Sequence, residues 1–249
     1  MLQHLDLRDI LFFDIETVSC TEHYEHLPER LQELWHKKAA QLLKQPVTEL
    51  SEEDASDFYR NRAAIYAEFG RIVCISVGIV RRDENGLYTV RLKSFADENE
   101  YKLLEDFADL LRTHYNDDRK HSLCGHNIKE FDVPYICRKM VLHKIELPKL
   151  LDIPGKKPWE TKFVDTLELW KFGDNKAYTS LNLLTAIFDI PSPKDDIDGS
   201  QVHGVFYEDQ DLPRIAQYCE NDVLATIRLL MRWKYLPDLP DESAIRVAY

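Results

Sequence analysis

The chain has 249 residues, 44% of them hydrophobic, which suits one large domain or a domain with an insertion and leaves no room for a second catalytic domain. Its net charge of −12 argues against a broad basic surface of the kind that holds a polyanion by charge alone. Five cysteines, at positions 20, 74, 124, 137 and 219 with no C-x-x-C pair, exclude a disulfide framework and read as reduced thiols in a cytoplasm. The N-terminus places Asp6, Arg8 and Asp9 before a short apolar run, so no signal peptide is expected, and no segment reaches transmembrane length.

In chain order, residues 9 to 15 read as a buried strand, followed by amphipathic helices near 28 to 45 and 51 to 68. These helices form an expected insertion over about 20 to 70. Residues 71 to 82 and 87 to 95 read as a hairpin turned by Asp83, Glu84, Asn85 and Gly86. A helix at 99 to 115, a strand at 121 to 126 and a helix at 133 to 143 follow. The Pro- and Lys-bearing stretch 146 to 161 reads as a loop, 162 to 165 as a short strand and 179 to 188 as a helix. A second loop spans 191 to 210, with Pro191, Pro193, Asp195, Asp196 and Asp198, and is expected beside the site or folded over substrate. A long helix occupies 211 to 235. Residues 1 to 236 thus form one expected domain, and 237 to 249 a Pro- and Asp-rich peripheral tail.

Four acidic residues in three motifs carry the chemistry: Asp14 and Glu16 in ILFFDIETV, Asp132 in GHNIKEFDVPYI, and Asp222 in YCENDVLATI. Strand alternation puts Asp14 and Glu16 on one side of the first strand, at its expected end. Tyr218 and Asp222 are four apart in a segment with helical spacing, so they share a face. Crowded carboxylates repel one another unless a cation neutralises them, and an all-oxygen donor set favours Mg²⁺ or Mn²⁺ over Zn²⁺ or Cu²⁺. Two such ions about 3.5 to 4 Å apart are suited to phosphodiester hydrolysis.

Taken in order, D-x-E, then Asn127 and Phe131-Asp132, then Tyr218 and Asp222, resemble the DEDD 3′–5′ exonucleases, in the branch marked by tyrosine. NIKEFDVPYI is similar to the second exonuclease motif of family B DNA polymerase proofreading domains, where Asn and Asp are also separated by four residues. DTLELWKF (165 to 172) and SLNLLTAIFDIPSPKDDIDGSQV (180 to 202) resemble a free-standing bacterial group related to those domains, so the likeness covers residues 8 to 236. It implies a ribonuclease H-like α/β fold, a mixed five-stranded sheet of order 3-2-1-4-5 flanked by helices. It also implies that Asp14 bridges two ions, that Glu16 and Asp222 complete the hydrolytic site, and that Asp132 holds the second ion largely through water. Tyr218 then orients the attacking water, Asn127 and Phe131 place the terminal nucleotide, and Thr17 offers a backbone amide. The implied substrate is a single-stranded or frayed DNA 3′ end, released as nucleoside 5′-monophosphates; a polymerase or repair partner is compatible with this, and the sequence does not show one.

Other readings stand beside this one. The same scaffold serves exoribonucleases resembling RNase D, and no residue here is assigned to a 2′-hydroxyl. A non-catalytic nucleic-acid-binding module is a third reading, although binding alone does not require a carboxylate cluster. Individually, Glu16, Asp132 and Asp222 could cap helices or face solvent, and Tyr218 could be a core residue with a satisfied hydroxyl. Cys20, His23 and His26 have a metal-like spacing, yet with no fourth ligand nearby they read as ordinary loop or helix residues. Local positive patches are expected from Lys156 with Lys157, Arg81 with Arg82, and Arg228 with Arg232.

Overall fold

A computed structural model describes residues 4–174, 178–191 and 196–247. Strand β1 (Ile10–Ser19) alternates its side chains between two cores, Ile10 and Phe12 toward one and Leu11, Phe13 and Ile15 toward the other. It continues past the expected end at residue 15, so Asp14 and Glu16 lie in mid-strand. A bulge in the pairing with β2 (Gly70–Arg82) falls between Glu16 and Thr17. Strand β3 (Tyr88–Ala96) completes the expected hairpin, whose turn is closed by Asp83 Oδ1 accepting from the amides of Asn85 and Leu87.

Between β1 and β2 come α1 (Glu29–Leu43) and α2 (Glu52–Arg62). They pack around the fully buried Trp35, whose indole N–H donates to the Ala55 carbonyl, with Tyr59 and Phe69 edge-on to its ring. Helix α3 (Glu100–His114) covers one face of the sheet, capped at its start by Asn99. Strand β4 (Ser122–Gly125) then leads into α4 (Asp132–Leu142), and β5 (Phe163–Asp165) into a short helix, α5 (Thr166–Lys171). Helices α6 (Leu181–Ile187), α7 (Val202–Tyr207) and α8 (Leu212–Trp233) follow.

Among the described residues the sheet has six strands in the order β5-β4-β1-β2-β3-β6. Its first five reproduce the expected 3-2-1-4-5 order. The sixth, β6 (Ala244–Arg246), lies within what reads as a peripheral tail in the sequence: it pairs parallel to Val90–Leu92, and Arg246 bonds to Glu220 and Asn221 of α8. Three half-polar residues carry too little periodicity to announce an edge strand whose partners are so distant. The expected loop at 191–210 likewise contains α7; Pro193 and Asp195 of that stretch lie outside the described residues.

Helix α8 crosses the sheet closely at Gly78, the register partner of Phe12. A β-carbon built on Gly78 would stand 2.7 Å from Val223 and 2.8 Å from Ile227, so the absent side chain lets the helix sit near β1. That approach brings the polar stripe of α8 up to the acidic residues of β1.

Candidate active site

Strand β4 pairs with β1 only along Ile10, Leu11 and Phe12. Beyond that point the chain of β4 turns away at Asn127, which has a left-handed φ of 63°, and the β1 backbone is left with unmatched hydrogen-bonding groups. Asp132 at the start of α4 supplies one partner: its Oδ1 accepts from the Ile15 amide at 3.2 Å, although 117 residues separate them. The diverging strands thereby open the mid-strand carboxylates of β1 to a cleft.

That cleft, of about 380 Å³, is lined by Asp14, Glu16, Asn127, Phe131, Asp132, Tyr218 and Asp222. Thr17 lies in an adjoining cleft of about 630 Å³ with Arg60, Asn61 and His203; the two share Ile15, Glu16, Phe131 and Gly199. Regular alternation already turns position 17 away from the side shared by 14 and 16, and the bulge in the β1–β2 pairing falls at the same step. Gly199 brings the 196–210 segment to the shared boundary of both clefts.

Burial, followed by repulsion from Asp132, Asp222 and Glu16, pushes the Asp14 carboxyl well above its ordinary pKa. Burial also raises Asp132, to about 7, despite the lowering effect of backbone amides. Tyr218 is displaced far upward by burial first and then by Asp222, Glu16 and Asp14, so it is a protonated phenol facing carboxylates. Buried carboxylates are costly in one another's company, and oxygen donors converge here without a basic side chain among them, so Asp14, Glu16, Asp132 and Asp222 are the residues that could hold a cation.

Several neighbours were not legible as site residues. The buried Cys219 thiol donates to the Asp14 carbonyl and to Asp14 Oδ2, at 3.4 and 3.5 Å, and burial holds it protonated. It is therefore a donor to Asp14, although one ligand atom each from Asp14, Glu16 and Cys219 falls within 4.8 Å. Among the described residues this is the only such trio, so Cys20, His23 and His26 do not converge on a metal position. His126 and Tyr178 also line the cleft, with His126 held by Thr166 and by the Thr179 carbonyl.

Asp165 holds the turn that presents the second motif. Its buried carboxylate accepts from the amides of Asn127 at 2.9 Å and Lys129 at 3.0 Å, and from those of Leu167 and Glu168 at the start of α5. The D-T-L-E start of α5 signals the cap in the sequence, but the two longer-range bonds have no local signal. Asp165→Ala leaves the Asn127 and Lys129 amides without their acceptor and should lower stability by about 3 kcal/mol. Urea denaturation checks this, and an unchanged midpoint would remove Asp165 from that role.

A ribonuclease H-like sheet with this carboxylate-lined cleft defines a nuclease-like frame, and the comparisons with known proteins agree with it. The chain is similar in structure to the family B DNA polymerase from the hyperthermophilic archaeon Pyrobaculum calidifontis, with a TM-score of 0.54 and 16% identity. The match covers 91% of this chain and 24% of the polymerase, so the protein spans about a quarter of that chain and the likeness is one of fold. Comparison with curated proteins gives no match.

Residues 64–245 match the model of a family described as predicted 3′–5′ exonucleases related to the exonuclease domain of PolB. The chain belongs to this family. The match begins within the short helical turn after α2, leaving α1 and α2 outside it. No helix among the described residues is long and apolar enough to cross a membrane.

Proposed function

We propose that the protein is a divalent-metal-dependent exonuclease that shortens single-stranded or frayed DNA from its 3′ end and releases nucleoside 5′-monophosphates. The observation that carries this reading is the meeting of Asp14, Glu16, Asp132, Asp222 and the Tyr218 phenol on one cleft. Asp14, Glu16, Asp132 and Asp222 would hold two Mg²⁺ or Mn²⁺ ions. When bound, those ions supply Lewis-acid charge at the attacked phosphodiester and at its leaving oxygen.

The protein's own groups do the positioning. Tyr218, held protonated by its surroundings, donates a hydrogen bond that orients the attacking water. Asn127 and Phe131 seat the terminal nucleotide, Phe131 standing where the two clefts meet. Thr17 offers its amide from the adjoining cleft, which extends the path of the strand. Contacts of this kind reach sugar, phosphate and a generic aromatic face, so cleavage has little sequence preference. The five free thiols accord with a cytoplasmic location.

The deciding experiment incubates 5′-labelled single strands and duplexes, each as DNA and as RNA, with and without Mg²⁺. A Mg²⁺-dependent ladder shortening from the 3′ end of DNA supports the proposal. Faster RNA shortening assigns the substrate to the ribonuclease reading, and full cleavage in excess chelator sinks the metal assignment. Binding should be shallow in salt: of the expected basic patches, Arg228 is bonded to Asp241 and Arg232 to Asp238, which leaves few cations near a strand. A slope of log affinity on log salt near −1.5 to −2 corresponds to about two or three phosphate contacts on a single strand. Anisotropy titrations across salt concentrations measure it, and a slope several-fold steeper would reveal a basic groove or partner.

A further inference from the structure

On the opposite face of the sheet from Asp14, a separate cleft of about 760 Å³ opens where the β2–β3 hairpin runs past the end of α3. Alternation along β1 explains its position: Leu11 lines this cleft, while Asp14 three residues on points to the α8 side. One part of the lining is apolar, from Leu11, Val77, Ile79 and Tyr115. In the β2–β3 register Arg91 stands opposite Ile79 and Lys93 opposite Val77, so cations of one strand lie beside aliphatic groups of the next.

The charge here runs against that of the whole chain. The protein has 44 acidic and 32 basic residues, but this cleft is lined by five Arg and Lys side chains against two carboxylates. The two carboxylates are already engaged, Asp6 with Arg8 and Asp9 with Lys120. Arg81, Arg91 and Lys93 have no carboxylate within ion-pair distance among the described residues, and Lys93 lies over the Phe95 ring. A concave surface lined by one sign of charge concentrates its field on a ligand of the other sign.

We propose that this cleft binds a nucleotide carrying two or three phosphates, the base against Ile79 and Tyr115 and the phosphates against Arg81, Arg91 and Lys93. Its volume lies in the ordinary range for small-molecule sites, about 300 to 1,000 Å³. The apolar lining suits a nucleotide over an inorganic phosphate. The three unbalanced cations sit together in one cleft and match a compact polyanion. Three guanidinium and ammonium groups supply the charge-assisted bonds that phosphates accept.

The test titrates N-methylanthraniloyl-ADP into the full-length protein in EDTA and follows its fluorescence. Saturable binding is expected, weakened by about tenfold or more in the Arg81→Ala/Arg91→Ala double variant, as loss of charge-assisted bonds implies. Lys93→Ala gives an independent second variant, expected to weaken binding in the same direction. Asp14→Ala should leave the affinity unchanged, which separates this cleft from the carboxylate site, and the arginine variant should keep the wild-type melting temperature. Unlabelled ADP should displace the probe better than tripolyphosphate or adenosine. Absence of saturable binding, equal affinity in both variants, loss of binding in Asp14→Ala, or displacement by tripolyphosphate or an oligothymidylate at least as strong as by ADP would overturn the proposal.

Discussion

Replacing Asp14 by Ala is expected to reduce single-turnover cleavage by about a thousandfold or more, since losing a metal role removes several kcal/mol of stabilisation from the transition state. The same change should act in the opposite direction on the metal-free fold. Asp14 is buried, and held near Asp132, Asp222 and Glu16, at a cost that its raised pKa expresses, so removing its carboxyl relieves both the desolvation and the repulsion. In EDTA the variant should therefore melt at or above the wild-type temperature, while Mn²⁺ should raise the melting temperature of the wild type only. A variant that cleaves at near-normal rate, or that still gains the full Mn²⁺ shift, removes Asp14 from the proposed metal set.

Tyr218→Phe should slow cleavage by roughly tenfold to a thousandfold, in or just below the span usual for a positioned proton-handling group. Only the hydroxyl is lost, and the ring remains in the core formed with Val18, Val73 and Ile215, so folding is preserved. Burial and three carboxylates keep the phenol protonated, which makes donation its role. The Mn²⁺-induced thermal shift should remain that of the wild type. Equal single-turnover rates in the two proteins would reduce Tyr218 to a packing residue.

The parts of the fold that could be read from the sequence are those whose signals are local and repeated. Alternation marks β1 and the β2–β3 hairpin, and a 3.6-residue period marks α8, which the structure gives as Leu212–Trp233. Short elements with few repeats escaped: α5 and α7 are six residues each, and β6 is three. In the cleft, Asp14 with Glu16 and Tyr218 with Asp222 are legible as pairs from element geometry alone. Cys219 is not, because its partner Asp14 is 205 residues away. Asp165 has the same difficulty toward Asn127, and the bulge beside Thr17 leaves no mark in residue types.

The register of β1 with β2 has one more consequence. Ser19 and Gly70 are facing partners, and the Cys20 amide donates to the Phe69 carbonyl at 2.8 Å, so everything from residue 20 to residue 69 leaves and returns at a single rung of the ladder. Topologically that excursion is the loop of a hairpin, and lengthening a loop costs little closure entropy, about 0.6 kcal/mol per doubling. The strand pairing that carries Asp14 can thus accept a helical pair with its own Trp35 core at this rung without changing register. The added helices are then free to diverge as a wall beside the cleft, where Arg60 reaches across to Glu208 at 2.6 Å, while the chemistry-bearing strand stays fixed.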